Sequence, residues 1–436
     1  MADPSFELSI QEKANRLYRG EALAPMVRAS TTPLRILALH YGADFVYTEE
    51  LVDRSLIEST RFVNEEMGTV DYNKDLAKFS EKKRKQILNG DVPPLLLRID
   101  PKVERGKLVC QIGSGEPELA SEAALKVYQD VDAIDINMGC PKKFSVSGGM
   151  GSALLSDKKR ACAVVRAVCD VMHPKGLPVS AKIRLLSDVD STIDFLSGLI
   201  EAGANAVAVH GRQRHDIPEN PADWDSLRKV VIAFKQKYPY IPILVNGDFY
   251  TRDEFDEFRR TTGADGVLLA RPALYNTSIF RKPEKTDSQA TQEFGYQSIL
   301  LLDKTKVVLD YLREVVRYGV HYKNTKYVVC EFMSNRRAPV PRTPYLSQVY
   351  SGGQTVAKVC NCHSMDAICK LWGFDESATD LCRSSKEQSD PHKYLDSYFL
   401  DHENEKPGGD TIDKVKQESP IAKRPKVETE SEMTVA

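Results

Sequence analysis

This chain has almost no net charge, no disulfide framework and no long apolar run. Its 60 Lys and Arg nearly cancel 62 Asp and Glu, leaving −2 at neutral pH. So balanced a molecule is no general attractor of nucleic acid, and any surface for a polyanion must be local. The nine cysteines show no paired spacing, which excludes a small disulfide scaffold and fits a reducing compartment. No stretch approaches the roughly 20 apolar residues of a bilayer span, so no membrane partner is expected. Residues 1–11 carry Asp3 and Glu7 without an apolar core, so neither a secretory signal nor a mitochondrial presequence is read there. The expected location is cytoplasm, nucleus or both.

What is present is 436 residues, 42% hydrophobic, enough for one large domain and a smaller one. Eight short strands are read at 21–26, 44–49, 108–112, 133–139, 179–185, 206–212, 242–248 and 266–272. Most are near-continuous apolar runs, the pattern of parallel strands covered on both faces. Helical spacing lies between them at 118–129, 158–172 and 192–202, the last stopped by Gly203. Such repeats predict an α/β fold, a TIM (β/α)8 barrel. The stretch 61–107, with a charged run at 81–85 and an apolar run at 95–99, reads as an insertion. It is expected as a small hairpin at the barrel edge. The domains are read as an N-terminal extension 1–20, a barrel 21–280, a polar linker 281–295, a small helical domain 296–382 and a tail 383–436.

Polar residues interrupt these apolar strands near one end. Asn137 and Cys140 end the fourth strand, inside Asp135-Ile136-Asn137-Met138-Gly139-Cys140-Pro141, and Ser147-Gly148-Gly149-Met150-Gly151 follows. A thiol between Gly and Pro, beside a glycine-rich loop, reads as reactive rather than as a packed core Cys. Pro25 and Met26 end the first strand and Gln111 the third. Lys182 and Arg184 share one face of the fifth, His210 and Arg212 one face of the sixth. Asn246-Gly247-Asp248 and Ala270-Arg271 end the last two. Taken singly, each has an ordinary reading: Lys182 paired with a core carboxylate, His210 a satisfied core histidine, Gln111 a loop cap. Seven strands with polar residues at one end make a single site the better reading, because barrel enzymes build there. The last two strand ends suit a phosphate. A phosphorylated cofactor across the mouth would place Lys182 at its ring and His210 between ring and phosphate.

With these motifs, the chain resembles the tRNA-dihydrouridine synthases, on their eukaryotic type-2 branch. The resemblance is carried by Ala24-Pro25-Met26-Val27-Arg28, the cysteine motif extended to Lys142, and the glycine run extended to Leu155. Lys182-Ile183-Arg184, Val209-His210-Gly211-Arg212, Asn246-Gly247 and Asn324-Thr325-Lys326-Tyr327 complete it. It implies FMN reduced by NADPH, and reduction of a uridine in the tRNA D-loop, at position 20 in this branch. The flavin would give hydride to C6 and Cys140, as general acid, a proton to C5. A thiol near pKa ~8.5 is mostly protonated at neutral pH and suits that task. By the same resemblance Pro25, Met26, Gln111, Lys182, His210, Asn246, Gly247, Ala270 and Arg271 would bind the flavin. Asn137 would meet the uracil or the flavin edge, and Arg212 and Arg214 the substrate or tRNA phosphates. Two positions depart from the family pattern. Asp248 would repel a phosphate and is expected to turn away; Pro272 lacks an N–H.

Residues 296–346 hold nine Lys or Arg against four Asp or Glu, interleaved with Tyr311, Tyr318, Tyr322 and Tyr327. Helices are read from an apolar stripe running from Ile299 to Val316, at 324–332 and at 355–372. A basic surface with exposed aromatics suits RNA, although a solvated helical surface with buried Tyr has the same pattern. Lys323, Lys326, Arg336, Arg337 and Arg342 are the candidate tRNA contacts. Cys360, Cys362, His363 and Cys369 lack a C-x-x-C pair, so no metal is expected. The tail is polar and expected to be disordered, with an import-like patch at Lys423-Arg424-Pro425-Lys426 and no room for a double-stranded-RNA-binding module. No obligate protein partner is evident. Two rival readings share much of this: an FMN barrel acting on a small molecule, and a non-catalytic tRNA-binding protein.

Overall fold

The computed structural model describes residues 8–75, 77, 80–88, 95–217, 219–282, 301–333 and 353–373. Arg336, Arg337, Arg342, Ile299, most of the linker and the whole tail lie outside them. Twelve strands are described. They are β1 (Gly20–Leu23), β2 (Phe45–Tyr47), β3 (Leu51–Val52), β4 (Ser59–Asn64), β5 (Thr69–Lys74) and β6 (Leu95–Ile99). β7 (Leu108–Gly113), β8 (Ala133–Asn137), β9 (Val179–Arg184), β10 (Ala206–His210), β11 (Ile243–Asn246) and β12 (Gly266–Leu269) follow.

Eight of these close a barrel, each parallel to its neighbours in the order β1-β2-β7-β8-β9-β10-β11-β12 and back to β1. The eight expected strands are these eight, so the TIM barrel stands. Alternate residues of each strand face opposite ways. One set, including Val46, Ile134, Ile183, Val209 and Val267, belongs to the large core that the surrounding helices complete. The other set, including Ala22, Phe45, Val109, Ala133 and Ala208, forms a separate buried cluster that fills the barrel.

The N-terminal extension closes the bottom of that cluster. The helix Ile10–Leu17 starts at Ser9, whose side chain accepts from Glu12 N–H while Glu12 reaches back to Ser9 N–H at 2.8 Å. Such a cap is worth about 1 kcal/mol. Ala14 and Tyr18 enter the barrel cluster. The Tyr18 hydroxyl donates to Ser180 Oγ at 2.9 Å, and its ring meets Phe45 edge-on at 5.8 Å.

The insertion is a three-stranded antiparallel sheet, β4-β5-β6, rather than the expected hairpin. The apolar run at 95–99 supplies the third strand, pairing Val70 with Ile99 and Tyr72 with Leu97. Arg61 ties the sheet to the barrel layer through a two-pronged pair with Asp130, both contacts at 2.7 Å.

The apolar stripe of the C-terminal part becomes the helix Lys304–Tyr318, capped by Asp303 and stopped by Gly319 at φ 59°. It buries Val307, Val308, Leu312 and Val315 in the same core as the barrel helices. The Tyr41 hydroxyl meets Asp310 at 2.6 Å, and Tyr318 donates to Asp100 at 2.7 Å. Tyr311 and Tyr318 are therefore core residues, not the exposed aromatics expected. Tyr322–Met333 is the next helix. The single helix expected at 355–372 is two, Val356–Cys360 and Met365–Leu371, because Ser364 caps the second by accepting from Ala367 N–H. Among the described residues no helix is long and apolar enough to cross a membrane.

Candidate active site

The barrel-facing positions change character as they rise. The lower ones are Ala, Phe, Val and Leu; the upper ones are Gln111, Asn137, Lys182, His210, Asn246 and Ala270. Register keeps these last together. Asn137 pairs with Lys182, Lys182 with Ala208, and His210 with Asn246. The structure thus brings together the site residues read on the third to eighth strands. Pro25 and Met26 follow β1 in a turn held by Ser30, whose Oγ accepts from Met26 N–H at 3.1 Å and donates to Ala24 O at 2.8 Å.

Below the mouth lies a polar layer centred on Asp135, which is 0% exposed. It accepts from Gln111 Nε2 at 2.8 Å and from Ser180 Oγ at 2.6 Å. Burial pushes its carboxyl up to about 6. Lys182 is pushed down to about 8, first by burial and then by the charge of Arg184. At neutral pH both remain charged. Yet no hydrogen bond or ion pair to the Lys182 amine is present among the described residues, and Asp135 acts on it only at longer range. Its pairing with a core carboxylate is therefore not what the structure gives. His210 is held well below the ordinary imidazole value by burial and by Lys182, Arg184, Arg212 and Arg271, so it is neutral. Its Nδ1 is buried with no hydrogen-bond partner among the described residues.

At the ends of β11 and β12, His210, Asn246, Gly247, Asp248, Ala270 and Arg271 border a cavity of about 30 Å³. Gly247 has φ 136°, and a Cβ there would come 2.9 Å from Ala222 Cβ. Asp248 turns toward the cations beside it: one oxygen meets Arg212 Nη2 and the other Arg271 Nη2, each at 2.5 Å. Two guanidinium groups thus share this one carboxylate. Arg212 is 3% exposed and also donates to Asn220 O at 2.8 Å. It is built into the wall of the site. Arg214 is half-buried and donates to Ser156 Oγ at 3.1 Å.

Asn137 shapes the loop that carries Cys140. Its Oδ1 accepts from Gly139 N–H at 2.9 Å and Cys140 N–H at 3.1 Å, and its Nδ2 lies 3.3 Å from Gln111 Oε1. These bonds occupy much of the amide expected to meet uracil. Arg184 clamps the same loop through Gly139 O at 2.8 Å. Gly151, at φ 59°, backs it closely: a Cβ would come 2.3 Å from Ser145 Oγ and 2.7 Å from Cys140 O. The Cys140 thiol is held above its ordinary value by burial and then by the charge of Glu50. Both effects favour the protonated thiol.

Glu50, just beyond β2, was absent from the residues read in sequence. Strand two was the one strand given no polar end, although Thr48-Glu49-Glu50 stands there. Among the described residues of the C-terminal part, several cations turn inward. Lys304 is 1% exposed, and Arg313 is buried beside Asp310 at 2.7 Å. The Lys326 amine donates to the carbonyls of Cys360 at 2.6 Å and Cys362 at 2.8 Å. Lys323 is exposed beside the Tyr322 ring. Cys362 and Cys369 are buried, and no group of three or more potential metal ligands occurs among the described residues.

The family model described as dihydrouridine synthase (Dus) matches residues 22–338. The chain is 34% identical over 318 residues to the tRNA-dihydrouridine(20) synthase [NAD(P)+] of Schizosaccharomyces pombe, covering 71% of this chain and 59% of that one. It is 31% identical over 324 residues to the protein of the same name in Saccharomyces cerevisiae, covering 73% and 78%. A human tRNA-dihydrouridine(20a/20b) synthase [NAD(P)+]-like protein is 29% identical over 266 residues, covering 60% and 71%.

Proposed function

The chain belongs to the dihydrouridine synthase family, and from that premise we propose that it reduces a uridine of the tRNA D-loop, at position 20, to 5,6-dihydrouridine, with FMN and NADPH. What carries this reading is the Cys140 thiol, held above its ordinary value by burial and Glu50, at the same mouth as the buried His210 Nδ1, which has no hydrogen-bond partner among the described residues.

The residues present fit a flavin phosphate. The buried His210 Nδ1 has no hydrogen-bond partner among the described residues, and the guanidinium groups of Arg212 and Arg271 stand in the adjoining wall. Gly247, Ala270, Arg271 and His210 would hold the phosphate end. Gln111, Lys182, Pro25 and Met26 would hold the ring end. FMN, when bound, supplies the hydride for C6 of the uracil. Lys182, cationic at neutral pH, offers charge stabilisation where negative charge gathers. Asn137 and Arg184 fix the loop so that the Cys140 thiol points at the bound base and gives C5 its proton. The uracil must leave its stack to reach this depth. Lys323 serves the tRNA backbone, and the catalyst works in cytoplasm, nucleus or both.

The test is Cys140→Ala, with dihydrouridine counted by nucleoside mass spectrometry after incubation with unmodified tRNA and NADPH. Loss of a positioned proton donor is expected to slow the reaction about 10²–10⁴-fold. Conversion at the parental rate would overturn the acid assignment.

A further inference from the structure

A proton donor at this position faces an electrostatic difficulty. Lys182 and Arg184 both act on Cys140 from β9. The backbone N–H of Lys142 also bonds toward the sulfur. Cations and N–H donors beside a thiol favour its thiolate. A thiolate cannot donate a proton, and it is both a nucleophile and the form that oxidants attack.

Glu50 is the acid that opposes them. It follows β2, is 9% exposed, and accepts from Ser145 Oγ at 3.3 Å. Its charge also acts on the Cys140 thiol, and Lys142 lies close enough to act on that charge. Burial holds the Glu50 carboxyl above its ordinary value, while the Ser145 hydroxyl and the Lys142 charge favour the ionised carboxylate against it. The backbone makes room for this cluster at two glycines. A Cβ on Gly113, at the end of β7, would stand 2.7 Å from Glu50 Oε1, and one on Gly151 would meet Ser145 and Cys140. Three separate parts of the chain are thus shaped around one carboxylate and one thiol.

We propose that Glu50 is the positioning residue of Cys140: its carboxylate, set beside the Cys140 loop through Ser145, adds to burial in keeping the sulfur a thiol against Lys182 and Arg184. The inference rests on reading Cys140 as the proton donor, but the state of the sulfur can be measured without any turnover. In the reaction the S–H bond breaks as the C5–H bond forms, leaving a thiolate beside a carboxylate. Like charges at that distance raise its affinity for a proton, and water restores the thiol before the next substrate.

The test is the pH dependence of iodoacetamide alkylation, resolved at Cys140 by peptide mass spectrometry, in the full chain and in Glu50→Gln and Glu50→Asp. The other cysteines serve as internal controls, and circular dichroism checks folding. Glu50→Gln keeps the shape and removes the charge. Its Cys140 midpoint is expected at least one pH unit lower, which is about tenfold faster alkylation at a fixed pH below both midpoints. Glu50→Asp, with the carboxylate drawn back by one methylene, is expected in between. An unchanged or higher midpoint in Glu50→Gln overturns the proposal. Should that variant not fold, Glu50→Asp decides alone: a lower midpoint supports the proposal and an equal one overturns it. Failure of the acid assignment looks different, because Cys140→Ala would then reduce tRNA while the alkylation shift persisted.

Discussion

Lys182 is a charge that the fold keeps at a cost, and replacing it reveals how much. Its amine falls from 10.5 in an ordinary lysine to about 8 here. That gap corresponds to roughly 3 kcal/mol against folding at pH 7. Solvent reaching a half-buried side chain trims it to about 2 kcal/mol. The sign follows from proton counts. The folded protein gives up this proton at lower pH than the unfolded chain, so the penalty is complete below pH 8. It fades as pH climbs from about 8 to 10.5. Lys182→Met keeps the stem and removes the charge. Asp135, at about 6, loses a cation that helped keep it ionised, which returns part of the gain. The expected net effect at pH 7 is about 1 kcal/mol of added stability, from urea unfolding of protein freed of any flavin. That advantage should shrink steadily between pH 8 and 10.5. Dihydrouridine formation is expected to fall at the same time. A variant less stable than its parent at pH 7, with the parental slope above pH 8, would refute the reasoning.

Two further outcomes test other parts of the site. Gly247→Ala places a methyl group 2.9 Å from Ala222 at a φ of 136°; it is expected to cost roughly 1–3 kcal/mol and to lower flavin content, read by absorbance. Lys323→Glu, on the exposed side of its helix, should weaken tRNA binding and flatten its salt dependence by about one unit of log–log slope, with flavin content unchanged in filter-binding samples.

The barrel was legible because its strands are continuous apolar runs and their polar residues fall at one end. The same rule hid Glu50. A pair of acids after a strand reads as the start of a solvated turn, and nothing local shows that Gly113 closes over it. The insertion was opaque for another reason. β4 exposes Phe62 and Val63 while β5 buries Thr69 and Asp71, so its alternation runs against the usual code. The basic character of the C-terminal helices was a matter of counting. Lys304, Arg313 and Lys326 spend their charge or hydrogen bonds inside the protein, and counting cannot tell an inward cation from an outward one. The Ser9–Glu12 pair, by contrast, was a readable helix start that went unused.

Tyr18 and Ala14 stop the lower end of the cylinder. A vessel closed at its base is entered from the other end, so on the proposed reading whatever delivers electrons and whatever receives them would queue at the same threshold. One visitor has to depart before the next can be admitted, and a lingering guest of either kind halts both halves of the cycle.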